Sequence, residues 1–260
     1  MSDKIQRGDF TNLAQDYSLY RPSYSEDVLS AIINLSDKPV EEIDFVDVGA
    51  GTGIWTRMVA SRNVKSAIAI EPNNEMRLCG IRDSTAAIIN WRKGGGEETG
   101  LANNCCDLLS MASSFHWVDF TKSTEEFKRI LRPGGLFVAL WNPRLIEVNP
   151  VLLEIEEHLK KKVPGIDRVS SGRSSHVEEL MERLFNLPGF EPLLYIEGRH
   201  VVRLTHEQYE GVWNSVNDIR NQAGPELFSE FISYMKKRVA DLPFIESTYQ
   251  TRAWIVRKAL

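Results

Sequence analysis

Three glycines and an acid stand where they could hold a ligand with polar or negative groups. Gly49, Gly51 and Gly53 follow a short apolar run that ends at Val48, and a helical pattern starts directly after them. A tight turn between a strand and a helix leaves backbone N–H groups uncovered at the helix N-terminus, where such ligands bind. Asp47 precedes the first glycine by two residues, so its carboxylate could receive an ammonium group directly or through water.

A second acid stands at the end of the next predicted strand. Glu71 directly follows the apolar residues 67–70, where nucleotide-binding α/β folds place the carboxylate that holds a ribose. The glycine spacing is G-x-G-x-G, because Ile54 occupies the place of the third glycine in the dinucleotide pattern G-x-G-x-x-G. The spacing therefore favours a nucleotide-like ligand over a dinucleotide.

Together, the glycine turn and the two acids resemble the class I S-adenosylmethionine-dependent methyltransferases. The resemblance implies that S-adenosylmethionine is the cofactor and that Glu71 binds both ribose hydroxyls. It also implies that Met76 lies against the adenine, with Gly96 and Glu97 at its edge; the alternatives are core packing for Met76 and a flexible loop over residues 94–96. The predicted cofactor-binding residues are Tyr17, Arg21, Asp47, Gly49, Ala50, Gly51, Thr52, Gly53, Glu71, Pro72, Met76, Gly96, Glu97 and Ser113.

The segment before the first long helix carries the pattern A-x-x-Y-x-x-x-R-P-x-Y, beginning at Ala14. It resembles the N-terminal segment of the methyltransferase type 11 family, which closes over the cofactor. The resemblance implies a lid over residues 8–24, to which Tyr17, Arg21 and Tyr24 contribute. The alternative is that the tyrosines only pack and Arg21 caps a helix.

Phe115, His116 and Trp117 follow the strand predicted over residues 106–112. This F-H-W run resembles a small-molecule branch of the family that includes trans-aconitate methyltransferase. Ligands of open α/β sheets bind outside the carboxyl ends of the strands, and a histidine there could take a proton from an acceptor hydroxyl. A structural role, or a place in the wall of the acceptor pocket, is the alternative for His116. A carboxylate acceptor would need no base.

The predicted fifth strand, residues 136–141, also ends in side chains that could meet the acceptor. The predicted acceptor-binding residues are Tyr24, His116, Trp117, Trp141 and Arg144. Arg21, Arg144 and Arg173 are candidate anchors for an acidic acceptor, chosen for their positions in loops.

The order of apolar stretches and helices predicts an α/β protein. The resemblance implies a Rossmann-like class I methyltransferase fold: a mostly parallel seven-stranded sheet with a late antiparallel strand, helices on both faces and a helical cap. We expect one domain over residues 1–260, with a core of residues 25–144, 188–204 and 246–260, and an acceptor cap of residues 145–187 and 205–245. Within residues 190–204, two β-like stretches, LLYIEG and HVVRL, are predicted.

Composition limits the classes of partner. The net charge is −5, with no broad basic region, which argues against nucleic acid as a partner. No apolar run approaches the roughly 20 residues of a membrane span. Three cysteines without a C-x-x-C motif fit a reducing cytoplasm, and the scattered histidines predict no metal site. We expect a cytoplasmic monomer or homodimer.

The sequence therefore predicts methyl transfer from S-adenosylmethionine to a small-molecule acceptor, with O-methylation of a carboxylate or hydroxyl favoured. N- or C-methylation of a small molecule is an alternative. A nicotinamide-dependent dehydrogenase and a non-catalytic cofactor-binding protein are the rivals from other classes. Ile54 argues against the first, and the intact acids and glycines argue against the second.

Overall fold

The computed structural model describes residues 14–85, 88–166 and 175–260, and every structural statement below concerns these ranges. Part of the predicted lid, residues 8–13, and the candidate anchor Arg173 lie outside the described residues.

The described strands form one seven-stranded sheet in the order β3-β2-β1-β4-β5-β7-β6. The first five strands pair in parallel, and β7 pairs antiparallel with both of its neighbours. The predicted fold is therefore confirmed. The strands are β1 Asp44–Val48, β2 Ser66–Ile70, β3 Ile89–Arg92, β4 Cys106–Ala112, β5 Leu131–Trp141, β6 Leu194–Leu204 and β7 Ile245–Arg257.

Strand β6 differs from its prediction, because it is one continuous strand and not two short stretches. In the sequence, Gly198 in the middle of this segment indicates an interruption between two short strands. In the structure, a Cβ at Gly198 would lie 2.8 Å from Cγ2 of Val28, so this glycine lets a helix approach the strand.

Helices cover both faces of the sheet. The helices are α1 Ala14–Tyr20, α2 Glu26–Asn34, α3 Ile54–Ala60, α4 Asn74–Asp83, α5 Phe120–Ile130, α6 Pro150–Lys162, α7 Ser175–Phe185, α8 His206–Asn214 and α9 Asn217–Val239. Successive side chains of a strand point to opposite faces of the sheet. Phe45 packs in the cluster that holds α2 and α3, whereas Val46 packs in the cluster that holds α5 and α7. This alternation is the two-residue period of a strand buried on both sides.

A third apolar cluster joins α6, α8 and α9, with Ile155, Trp213 and Phe231 at its centre. These three helices form a unit over one end of the sheet, and we refer to them as the cap. Helix α7 packs against the sheet and not within this cluster, although the predicted cap included it. Helix α9 is bent where Gly224 adopts φ +73° before Pro225.

Helix α1 connects the cap to the sheet core, because it contacts both α8 and α4. Its Tyr20 ring lies so close to Gly211 of α8 that a Cβ at Gly211 would be 2.2 Å from the ring. Across the described residues, no helix is both long and apolar enough to cross a membrane.

Candidate functional site

A cavity of about 340 Å³ lies at the carboxyl ends of β1, β2 and β4. Its volume falls within the range of roughly 300–1,000 Å³ found for small-molecule sites. Among its wall residues are eleven of the predicted cofactor residues: Tyr17, Gly49, Ala50, Gly51, Thr52, Glu71, Pro72, Met76, Gly96, Glu97 and Ser113. The structure thus brings residues from five separate chain segments to one wall.

The glycine turn shapes the floor of the cavity. Gly49, Gly51 and Gly53 have φ angles of +66°, +58° and +79°, which side-chain-bearing residues rarely adopt. A Cβ at Gly49 would lie 2.7 Å from Cβ of Ser114, so the turn also packs tightly against the end of β4. At Gly51 only one side-chain atom, at 3.9 Å, lies near that position, and this glycine opens onto the cavity.

Glu71 is tied to the turn through backbone hydrogen bonds. Its Oε2 accepts from the N–H of Gly51 at 2.8 Å, and its Oε1 accepts from the N–H of Asn73 at 2.8 Å. Burial raises the pKa of the Glu71 carboxyl above its usual value, and the two N–H donors act in the opposite direction. The carboxylate is therefore held on the wall in one orientation by groups that come from the fold itself.

Asp47 lies behind the cavity wall and is fully buried. Thr56 Oγ1 donates to its Oδ2 at 2.6 Å, and Ser110 Oγ donates to its Oδ1 at 2.8 Å. Burial raises the pKa of Asp47 to about 7, against the two hydroxyl donors. The structure thus places this acid under the turn, where it holds α3 and β4 together.

Two aromatic residues complete the wall on the side of the N-terminal segment. Trp55 Nε1 donates to Ser110 Oγ at 3.1 Å, and the Trp55 ring meets the Tyr24 ring edge-on at 5.3 Å. The hydroxyls of Tyr24 and Ser113 are 3.0 Å apart. Ser113 has φ +56°, an uncommon backbone angle for a residue with a side chain. These contacts attach Tyr24 to the carboxyl end of β4.

His116 does not belong to the cavity wall, whereas its neighbour Trp117 does. The two rings lie 4.4 Å apart, and Trp141 Nε1 donates to His116 Nδ1 at 3.3 Å. Because an indole N–H can only donate, Nδ1 of His116 is the acceptor, and its neutral form carries the proton on Nε2. Trp141 is buried between His116 and Trp254.

Arg144 is enclosed by residues of the cap and β7. Its guanidinium carbon lies 4.2 Å from the centre of the Trp213 ring, and its Nη2 lies 3.8 Å from a carboxylate oxygen of Glu156. Arg144 Nη1 and the hydroxyls of Tyr209 and Tyr249 are buried, yet none has a hydrogen-bond partner within the described ranges. We call Arg144, Tyr209, Trp213 and Tyr249 the cap cluster.

The remaining predicted residues lie outside the wall. Gly53 sits beneath the turn against the Trp91 ring. Arg21 lies over the Tyr17 ring, and its Nη2 donates to the backbone oxygen of Ser215 at 3.3 Å, which ties the N-terminal segment to the end of α8. Of the predicted acceptor residues, Tyr24 and Trp117 are on the wall, whereas His116, Trp141 and Arg144 are not.

Sequence reasoning missed several wall residues, of which Trp55, Asn73 and Ser114 carry polar groups. Asn73 caps α4, and its place in the sequence predicts only this cap. Ser114 directly follows Ser113, a predicted site residue at a strand end. This position in the sequence could have identified Ser114. Trp55 fitted an apolar helix face, so nothing in the local pattern distinguished it from core. The described residues contain no cluster of side chains that could hold a metal ion.

Part of the chain is similar in sequence to known proteins. Residues 46–139 match a protein family described as a methyltransferase domain. An uncharacterized methyltransferase from Mycobacterium tuberculosis is 32% identical over 130 residues, which are 49% of each chain. The match thus spans about half the length of this relative. An uncharacterized methyltransferase-like protein from Schizosaccharomyces pombe is 25% identical over 271 residues, covering 99% of this chain and 98% of that one.

Among solved structures, a candidate type II methyltransferase from Anaeromyxobacter dehalogenans shares the fold. Its TM-score is 0.65 at 21% identity, over 92% of this chain and 99% of that one. The family match covers β1 to β5, which carry the glycine turn and Glu71. Residues 46–139 are therefore similar to a methyltransferase domain, and the chain shares the fold of the Anaeromyxobacter dehalogenans structure.

Proposed function

We propose that the protein transfers the methyl group of S-adenosylmethionine to an oxygen of a small-molecule acceptor. The observation that carries this proposal is the cavity wall, where the glycine turn, Glu71 and Met76 face one space. The predicted lid and cap belong to the same proposal, because Tyr17 and Tyr24 line the cavity and α1, which carries Tyr17, contacts α8 of the cap. The F-H-W run is the basis for proposing the branch that includes trans-aconitate methyltransferase.

The wall residues fit the cofactor. Two of the roughly four lone-pair positions of the Glu71 carboxylate are taken by backbone N–H groups, which leaves the others for ribose hydroxyls. Thr52 Oγ1 is buried on this wall without a hydrogen-bond partner in the described ranges, so a polar ligand group would satisfy it. Met76, Gly96 and Glu97 would hold the adenine.

Bound S-adenosylmethionine would supply a methyl group on a positively charged sulfonium sulfur. The neutral thioether that remains after transfer is a good leaving group. An acceptor oxygen would take this methyl group as the carbon–sulfur bond breaks, and the electron pair of that bond would stay on sulfur. The chain therefore mainly has to align the acceptor and exclude water. Alignment can contribute on the order of 7–11 kcal/mol to lowering such a barrier.

A carboxylate acceptor fits the wall better than a hydroxyl acceptor. A hydroxyl must lose a proton, but His116 stands behind Trp117, and its Nδ1 already accepts from Trp141. A carboxylate oxygen is a nucleophile without a base. The prediction that His116 is catalytic is accordingly replaced in our proposal by a positioning role, in which His116 fixes Trp117 and Trp141.

The cap cluster is the proposed anchor for a carboxylate of the acceptor. The cluster offers three buried donors: Arg144 Nη1 and the hydroxyls of Tyr209 and Tyr249. The carboxylate of Glu156 is 3.8 Å from Arg144 Nη2, which is too long for a hydrogen bond. A buried donor without a partner costs about 1–3 kcal/mol, so an anion that satisfies these groups would gain that free energy on binding. The segment of residues 21–25 borders both places, because Tyr24 lines the cavity and Ser23 accepts from Asn142 beside Arg144.

The first experiment is a calorimetric titration with S-adenosylmethionine and with S-adenosylhomocysteine. We expect both to bind, and Glu71→Ala to weaken both by about 10- to 100-fold through loss of a charge-assisted contact of about 1.5–3 kcal/mol. Glu125→Ala, an exposed acid on α5, is the matched control and should bind like the wild type. Absence of binding by the wild type, or unchanged affinity in Glu71→Ala, would contradict the cofactor assignment.

The acceptor is tested with labelled cofactor and a panel of small carboxylic acids, each beside its neutral amide. We expect methylation of acids and not of amides. Arg144→Gln should raise the acceptor KM at least tenfold without changing cofactor affinity, whereas Lys160→Gln, on the exposed face of α6, should change neither. Cofactor binding together with turnover of neutral acceptors only would reject the carboxylate and keep the methyltransferase.

A further inference from the structure

The sheet ends in a long strand with an open edge. Along all its 11 residues, β6 pairs with β7 on one side. On its other side, no backbone group within residues 14–85, 88–166 and 175–260 bonds to it. Such an edge offers a row of N–H and C=O groups to another strand, and proteins usually cover, shorten or twist it.

The two faces of β6 differ. The even-numbered residues from Ile196 to Leu204 are buried or half-buried. Gly198 lies against Ser25 and Val28, and Leu204 packs in the apolar cluster of the cap. The odd-numbered residues from Tyr195 to Arg203 are exposed, with Tyr195 at 39% and Val201 at 55%. No described helix covers this face, so the edge and one face are accessible together.

The exposed residues are self-complementary. In an antiparallel pair about a two-fold axis at Gly198, Glu197 of each copy lies opposite Arg199 of the other, and Tyr195 lies opposite Val201. Directly opposite residues in such a ladder touch, and opposite charges stabilise it whereas like charges oppose it. We propose that β6 pairs with β6 of a second copy of this chain in this register, which makes the protein a homodimer with a continuous sheet.

Neighbouring registers are less favourable. An axis at Glu197 or at Arg199 would place two like charges opposite each other. An axis at His200 would bring Glu197 to Arg203, but Arg203 already bonds Glu246 at 3.4 Å and lies over the Phe244 ring. Only the axis at Gly198 gives both Glu197 and Arg199 a partner of opposite charge. A hydrogen bond from Tyr195 at 2.6 Å lowers the pKa of Glu197, which keeps this acid ionised at neutral pH.

The test is the molar mass in solution, measured by light scattering and by sedimentation equilibrium. We expect a dimer for the wild type and a monomer for Glu197→Arg and for Arg199→Glu. The double variant E197R/R199E exchanges the two charges and should restore the dimer. Arg203→Glu, an equally exposed charge on the same face, should remain a dimer and is the matched control.

A monomeric wild type would overturn the proposal. So would a dimer that Arg199→Glu leaves intact, because it would use another surface, and so would a double variant that stays monomeric. Unfolding midpoints of all variants separate loss of pairing from loss of folding. The proposal does not depend on the proposed function, since it concerns the sheet edge and the readout is mass.

Discussion

The glycine turn and the cap cluster lie near the same end of the sheet, but they are built from different kinds of group. At the turn, backbone N–H groups hold Glu71, and positive φ angles keep side chains away. At the cap cluster, side chains from β7, α8 and the loop after β5 bring three buried donors together without partners. The Glu71 carboxylate at the turn has two hydrogen-bond donors before any ligand arrives, whereas the three donors of the cap cluster have no partner within the described ranges.

This difference indicates two ways of preparing a binding site. The shape of the turn is determined by its backbone angles, so substitutions there should reduce both stability and ligand binding. The cap cluster holds buried polar groups that cost free energy in the absence of a ligand. Substitutions there should separate stability from function. Four substitutions test this contrast, ordered by the size of the expected effect.

The largest effect should come from Gly49→Ala. The new side chain meets both an unfavourable φ of +66° and Ser114 Cβ at 2.7 Å. We expect a loss of about 2–4 kcal/mol in the free energy of unfolding, measured with urea, and loss of cofactor binding. Gly100→Ala is the control, because Gly100 has φ +69° but nothing within 4 Å. It should lose only about 1–2 kcal/mol. Equal losses in the two variants would show that the contact with Ser114 has no cost.

Next in size is the pH dependence contributed by Asp47. Its pKa is about 7 in the folded protein and near 3.8 in an unfolded chain, so between these values the folded state holds a proton that the unfolded state releases. Stability should therefore fall as pH rises through this window, by up to about 1.4 kcal/mol per unit, and level off above it.

Asp47→Asn removes this dependence and keeps a polar group between Thr56 and Ser110. Unfolding in urea at pH 5 and pH 8 should show the wild type losing on the order of 2–3 kcal/mol relative to Asp47→Asn. Parallel pH profiles for the two proteins would mean that Asp47 has an ordinary pKa.

A smaller loss is expected for Tyr24→Phe, which removes the hydroxyl contact with Ser113 at 3.0 Å. A typical hydrogen bond contributes about 1 kcal/mol, so unfolding should become easier by about that amount. Cofactor affinity should fall only a few-fold, because the ring still packs on Trp55. No change in stability would indicate that the two hydroxyls bond to water instead.

The smallest effect on stability should be that of Tyr249→Phe, which removes a buried hydroxyl without a partner. We expect no loss and a gain of up to about 1 kcal/mol, because a buried hydroxyl without a partner is removed and the small space it leaves offsets part of that gain. Under the proposed function, the acceptor KM should nevertheless rise. A loss of 1 kcal/mol or more, as expected for Tyr24→Phe, would place Tyr249 in a structural network and remove the contrast between the two regions.

The extent to which the sequence predicts each region follows from how far apart its residues lie in the chain. The turn and Glu71 lie within 23 residues and belong to adjacent strands, so local patterns predict their meeting, and the bounds of β4 were predicted at Cys106–Ala112. The cap cluster joins positions 144, 209 and 249, and only the antiparallel placement of β7 and the packing of α8 bring them together.

Asp47 shows the same limit at a single residue. Its spacing from the glycines predicted an acid beside the turn, but Ser110, which occupies one of its oxygens, is 63 residues away. Whether an acid at a strand end faces the ligand or the core depends on such distant partners. The pattern therefore predicted its place in the chain and not its contacts.

The position of β7 has a consequence for how the protein is made. Strand β7 lies between β5 and β6, although both are synthesised before it. Until residues 245–257 leave the ribosome, β5 and β6 have no strand between them, and β6 lacks the strand with which it pairs. The first five strands can assemble early, but β6 must wait for β7. A nascent chain thus carries two exposed strand edges for a time, and we expect chaperones to associate with it during that interval.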